Sequence, residues 1–159
     1  METNAVRFIL LLVLSLLVGT TFGIWVGFNP SNLSAAAYIE QQQNAIRSLN
    51  TLLPVMGAVC ILLAGWLAIR MKNNPRDRYL LVAAIVCLVV AALVTRFGNQ
   101  PINAQVMTWS AQSPPPNWAQ LRDTWWQWHV VRTLAAILGL ALTLLALLDQ
   151  KRSLRDNAA

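Results

Sequence analysis

The sequence predicts an all-α fold, a four-helix transmembrane bundle, and three observations predict it. Hydrophobic residues make up 57% of the 159-residue chain and charged residues 11%, against about 45–50% and roughly 25% in soluble domains. So few charges cannot cover a soluble surface, so most of the exterior must face lipid. Uncharged apolar runs recur four times, each near the ~20 residues that a helix needs to cross a bilayer core. The twelve Lys and Arg sit mostly between those runs, as topology signals do, and not in the single stripe of a nucleic-acid binder. The pI of 10.4 therefore does not imply a nucleic-acid partner. The expected unit is one four-helix membrane domain, residues 1–159, with the lipid bilayer as its first partner.

The first run, Phe8 to Phe28, has 21 residues. It is longer than the ~7–15 residues of a signal-peptide core and lacks a clear A-x-A cleavage site, so it is expected to stay as a span. The second, Leu52 to Ile69, has 18 residues; the third, Tyr79 to Thr95, has 17. The fourth, Thr133 to Leu148, has 16 and reaches spanning length once Trp128 to Arg132 are added.

Four spans put both termini on one side. Arg7, Arg70, Lys72, Arg76, Arg78, Lys151, Arg152 and Arg155 lie there, eight charges against Arg47, Arg96, Arg122 and Arg132 on the other side. The positive-inside rule then predicts cytoplasmic termini in the cell membrane, with the other face periplasmic or extracellular.

The two outward segments, residues 29–51 and 98–128, are longer than the basic "MKNNPRDR" turn and rich in amides and aromatics. Ser34 is expected to cap a helix running through "AAAYIEQQQNAIRSLN" into the second span, with a kink at Pro54. Asn117 is placed to cap a helix from Trp118 to Leu148. Those 31 residues measure about 46 Å at ~1.5 Å each, some three turns beyond a core of about 30 Å. Helices two and four are thus expected to extend into a small outer cap. "SPPP", Ser113 to Pro116, interrupts any helix between them.

On a helix from Trp118, the residues Trp118, Arg122, Trp125, His129 and Arg132 fall in one stripe, spaced alternately four and three apart. Trp and Arg at a helix end also make an interfacial belt, which is the plainer reading of Trp126 and Trp128. His129 and Arg132 lie two and three turns inward of Arg122, where polar side chains tend to face the bundle interior or a wet cavity; Arg132 can alternatively snorkel to headgroups. The other outward segments offer Tyr38, Glu40, Asn99 and Asn103 as partners. Glu40 has a solvated reading, and the amides have a loop-bonding one.

A single His and no outward Cys argue against a zinc site, and a bis-His haem lacks its second ligand. His129 with Met107 or Met56 is the haem ligand pair that the count leaves. Cys60 and Cys87 sit mid-span without a C-x-x-C pairing and read as packing residues. No metal and no cofactor is expected.

"NQPIN", then Trp109, then "PPNW", then "LRDTWWQWHVVRT" resemble the signature of the anthrone-oxygenase-like integral membrane family, as does "YIEQQQNAIRSLNTLLP". Much of that family has no assigned function. The resemblance implies a four-helix membrane bundle and, in some members, oxidation of an anthrone to an anthraquinone by O₂ without an evident cofactor. Carried over by position, the matching residues are Asn103, Trp109, Trp118, Arg122, Trp125, His129 and Arg132.

The expected function is therefore an outward-facing aromatic and polar pocket oxidising polycyclic phenolic compounds. In this reading His129 removes the acidic C–H proton, and Arg122 or Arg132 holds the enolate oxygen. Trp109, Trp118 and Trp125 stack on the rings, with Tyr38, Glu40, Asn99 and Asn103 as further binding residues. The alternatives are a non-catalytic binder of a lipophilic metabolite, quinone or lipid, a protein-binding cap, or a structural membrane subunit. An oligomer is compatible with each.

Overall fold

The computed structural model describes residues 3–71 and 73–148. Lys72, Lys151, Arg152 and Arg155, counted above as topology charges, lie outside the described residues. Six α-helices follow one another: α1 Thr3–Gly27, α2 Ala35–Leu49, α3 Leu52–Arg70, α4 Pro75–Val94, α5 Gln100–Val106 and α6 Trp118–Leu148. A 3₁₀ turn at Pro30–Asn32 precedes α2, and a π-helical turn at Thr95–Asn99 joins α4 to α5. Among the described residues four helical stretches are long and apolar enough to cross a membrane: Thr3–Asn32, Leu52–Arg70, Pro75–Val106 and Trp118–Leu148. The protein is an all-α membrane protein.

Ser34 caps α2 as expected, its hydroxyl accepting from the Ala37 N–H at 3.3 Å. The expected continuous helix into the second span does not form. Instead α2 stops at Leu49 and α3 starts at Leu52, so the chain breaks one turn before Pro54 and does not kink at it. The reason is the proline ring, which in an unbroken helix would strike the carbonyl four residues back, that of Asn50. The Asn50 N–H still closes α2 on the Ile46 carbonyl, and the Val55 N–H opens α3 on that of Thr51.

The third span is longer than its apolar run, because the π turn carries α4 past Thr95 into α5 without leaving the helix axis for a loop. Asn74 starts α4, accepting from the Asp77 N–H and donating to its carboxylate at 2.6 Å. α6 begins at Trp118, as expected, and is helical to Leu148, the last residue described.

Two apolar clusters organise the bundle. The larger joins Val6, Leu14, Leu67, Leu81 and Leu147 from α1, α3, α4 and α6. Val6 and Leu81 lie near the starts of their helices, Leu67 and Leu147 near the ends, so the four alternate in direction. Lipid supplies no hydrophobic drive between helices, so close packing of small residues must hold them. Gly139 shows how close: a Cβ there would meet the Leu88 side chain at 3.2 Å and the Ala84 carbonyl at 3.4 Å. The Thr133 and Thr143 hydroxyls, both fully buried, bond back to His129 and Gly139 carbonyls one turn earlier. The smaller cluster lies at the opposite end from Thr3 and Leu148. It gathers Tyr38, Ile39, Ile46, Ile102, Val106 and Trp125, with Trp109, Trp118 and Trp126 against it.

A cavity at Arg132

Between these clusters is a cavity of about 460 Å³, within the ~300–1,000 Å³ of small-molecule sites. One wall is α1, where Gly19 and Gly23 have no side chains to fill it and an added Cβ at either meets nothing within 4 Å. α2 and the start of α3 form a second wall. Asn103 of α5 with Trp125 and Arg132 of α6 form the third. Gly19 lies eight residues inside the end of α1, so the cavity reaches about 12 Å down the bundle.

Four polar side chains meet where the second and third walls join. Asn103 is the centre: its Oδ1 accepts from Trp125 Nε1 at 2.8 Å and from Gln42 Nε2 at 3.3 Å, while its Nδ2 donates to Asn50 Oδ1 at 2.9 Å. The π turn supports the third wall from behind. Within it Asn99, fully buried, donates Nδ2 to the Trp125 carbonyl at 3.0 Å, and its Oδ1 has no protein partner. Gly98 lets the Trp128 indole lie against the turn, since a Cβ there would come within 2.7 Å of the ring.

Below the amides, His129 is fully buried between two indoles. Trp125 stacks at 5.1 Å between centroids and 7°, Trp126 at 5.6 Å and 21°. Arg132 donates to His129 Nδ1 from Nε at 3.2 Å and Nη2 at 2.8 Å, so that nitrogen carries no proton. The proton is therefore on Nε2, which donates to the Thr21 carbonyl at 3.1 Å. Both ring nitrogens are committed. Arg132 also lies over Trp125, 5.9 Å from the ring centroid. Among the described residues no carboxylate comes within ion-pair distance of Arg132, and Arg132 lines the cavity. A cation placed inside a bundle without a counter-ion is costly.

The stripe foreseen from Trp118 to Arg132 thus divides. Trp125 and Arg132 line the cavity with Asn103, while His129 and Asn99 lie behind that wall, bonded to Arg132 and to the Trp125 carbonyl. Trp118 and Arg122 do not reach it. Trp118 packs on Tyr38, with ring centroids 6.1 Å apart, and Arg122 lies 4.9 Å over Trp118. Arg122 also pairs with Asp123 at 2.9 Å and donates to the Ser31 carbonyl at 3.4 Å. Tyr38 is buried in the smaller cluster with its hydroxyl unpartnered, and burial pushes that hydroxyl well above its ordinary pKa. Trp109 packs against the same cluster, and its carbonyl accepts from Gln43 Nε2 at 2.9 Å. Glu40 is exposed and lies off the cavity lining.

Three features escaped the sequence reading. Gln42 and Asn50 continue the buried positions Tyr38 and Ile46 at spacings of four, a periodicity that could have found them. Trp126 was assigned to an interfacial belt, yet it stacks on His129. Trp126 precedes His129 by three residues and Trp125 precedes it by four, and helical side chains at those spacings share a face.

A family model described as anthrone oxygenase matches residues 43–142, more than half of the chain. No curated protein and no solved structure matches it. The matched stretch contains Asn50, Asn103, Trp125, His129 and Arg132 and begins just past Gln42.

Proposed function

The chain belongs to the anthrone oxygenase family, and from that premise we propose that it oxidises a hydroxylated anthrone to the anthraquinone with O₂ in the cavity at Arg132. The single observation that carries this reading is Arg132, without a carboxylate partner among the described residues, in the lining of a cavity large enough for a tricyclic ligand. Its charge lowers the energy of the enolate, so the enol form of the substrate gives up its proton more readily. That proton leaves to water at the mouth, which Gln41, Asn44 and Ser48 line.

The enolate carbon then forms a C–O bond to O₂, its electron pair becoming that bond, and the peroxide anion takes up a proton. Loss of water from the hydroperoxide breaks the remaining C–H and the O–O bond and forms the second carbonyl. The sum is anthrone plus O₂ to anthraquinone plus water.

The Asn103, Gln42 and Asn50 amides orient the substrate's oxygens, and the Trp125 indole edge closes the wall. His129 is a positioning residue here, because the Arg132 and Thr21 bonds occupy both its nitrogens. Arg122, Trp118, Tyr38 and Trp109 build the smaller cluster, and Glu40 lies outside the reaction. With the termini cytoplasmic, as the charge distribution favours, that cluster is an outer cap and the cavity opens to the periplasm or exterior.

Oxygen uptake by the detergent-purified protein with a hydroxylated anthrone tests this. Arg132→Gln should lower kcat/KM by about 10²–10³-fold, the usual loss for one oxyanion donor. No uptake by the wild type above a protein-free control contradicts it. The absence of any carboxylate from the cavity lining favours one other reading, a binder that holds the same ring system without turnover; anthraquinone binding with no uptake selects it.

A further inference from the structure

A second cavity of about 160 Å³ lies deeper, between α1, α3, α4 and α6. It shares Leu53, Pro54, Thr95 and Arg132 with the larger one, so the two adjoin at these residues. Its walls are apolar, among them Leu17, Gly57, Ile61 and Leu88. Thr21 and Thr95 turn their hydroxyls onto the Val18 and Ala91 carbonyls at 3.1 and 2.8 Å and so present methyl groups' worth of surface rather than free donors. Arg132 is the one charged residue in this lining, and with the Thr21 and Thr95 hydroxyl protons committed the walls offer little to an ordered water, which needs about 2–4 partners. Dry apolar cavities of roughly 150 Å³ take up apolar guests such as xenon or benzene. Pro54, Ala58 and Ala92 are exposed where α3 meets α4, so the cavity opens sideways toward hydrocarbon.

We propose that this smaller cavity is a dioxygen site, filled from the bilayer between α3 and α4 and delivering O₂ to the ligand held at Arg132. It rests on the oxygenase reading for its use, while the binding of the gas stands on the cavity alone. O₂ is small, apolar and more soluble in hydrocarbon than in water, which fits the size, the lining and the lateral mouth. Two separate entrances, one for the ring system and one for the gas, then meet at one cation. Gly57 keeps the space open, since even an added Cβ would lie 3.7 Å from the Leu17 methyl.

Dissolved O₂ is paramagnetic and is its own probe. In methyl NMR of the full chain in micelles, O₂ should broaden Leu17, Ile61 and Leu88 more than Leu147, Leu63 and Val18, which are about as enclosed and lie off both cavities. Ala92→Leu, a lipid-exposed position on the cavity wall, should abolish the difference, and Val86→Leu, exposed but off the cavity, should preserve it. Equal broadening of the two sets overturns the proposal. In turnover, Ala92→Leu should raise the KM for O₂ about fivefold or more with the anthrone KM unchanged, a separable binding loss. Turnover with the same O₂ KM in both proteins also overturns the gas site. Selective broadening in a wild type that consumes no anthrone supports the gas site and sinks the oxygenase reading alone.

Discussion

At the scale of single residues, His129 decides between two chemistries. A general base needs a free nitrogen, and His129 has Arg132 on one and the Thr21 carbonyl beyond the other. His129→Gln can keep an acceptor for Arg132 and a donor for Thr21, whereas His129→Leu keeps neither. We expect His129→Leu to lose about 10²-fold in kcat through a misplaced guanidinium and His129→Gln to recover most of it. The kcat/KM–pH profile of His129→Gln should keep the wild-type shape; disappearance of an acidic limb in that variant would show the imidazole to be the base. His129 and Arg132 were legible in the sequence because charge and polarity are rare in the fourth span. Their tautomer and pairing were not, because these depend on a carbonyl of the first helix, more than a hundred residues away in the chain.

At the scale of elements, the irregular turns matter as much as the spans. The break at Asn50–Thr51 frees Asn50 to reach Asn103, and the π turn brings Asn99 and Asn103 to the same side of α4 and α5. π-helical turns recur at functional sites because one extra residue re-aims the helix that follows. In "TRFGNQPIN" Pro101 rules out a regular turn at the Phe97 carbonyl, as Pro54 does at Asn50, but only the structure shows that the helix widens there where at Pro54 it breaks. Gly98→Ala should destabilise the protein by about 1–3 kcal/mol, the usual cost of overpacking, seen as a lower unfolding midpoint in detergent. In a Trp128→Ala background the same substitution should cost little; an equal loss in both backgrounds would place the strain elsewhere than the indole.

At the scale of the whole molecule, the four apolar runs and the 31-residue last helix were readable because span length and hydropathy are properties of contiguous sequence. The cavity was not, since it arises from what five helices leave unfilled, with Gly19 and Gly23 forming one side by lacking side chains. The same geometry explains why five residues on one stripe serve two places: α6 passes from the smaller cluster to the cavity wall within two turns. The central claim is that Arg132 holds a planar aromatic anion there. The most direct test is the visible spectrum of a hydroxyanthraquinone titrated with the purified protein, about one pH unit below the free ligand's pKa. Bound to wild type, the ligand should absorb as its red-shifted phenolate, and Arg132→Gln should remove the shift. A bound ligand that keeps its neutral spectrum, or an equal shift in Arg132→Gln, would contradict the account.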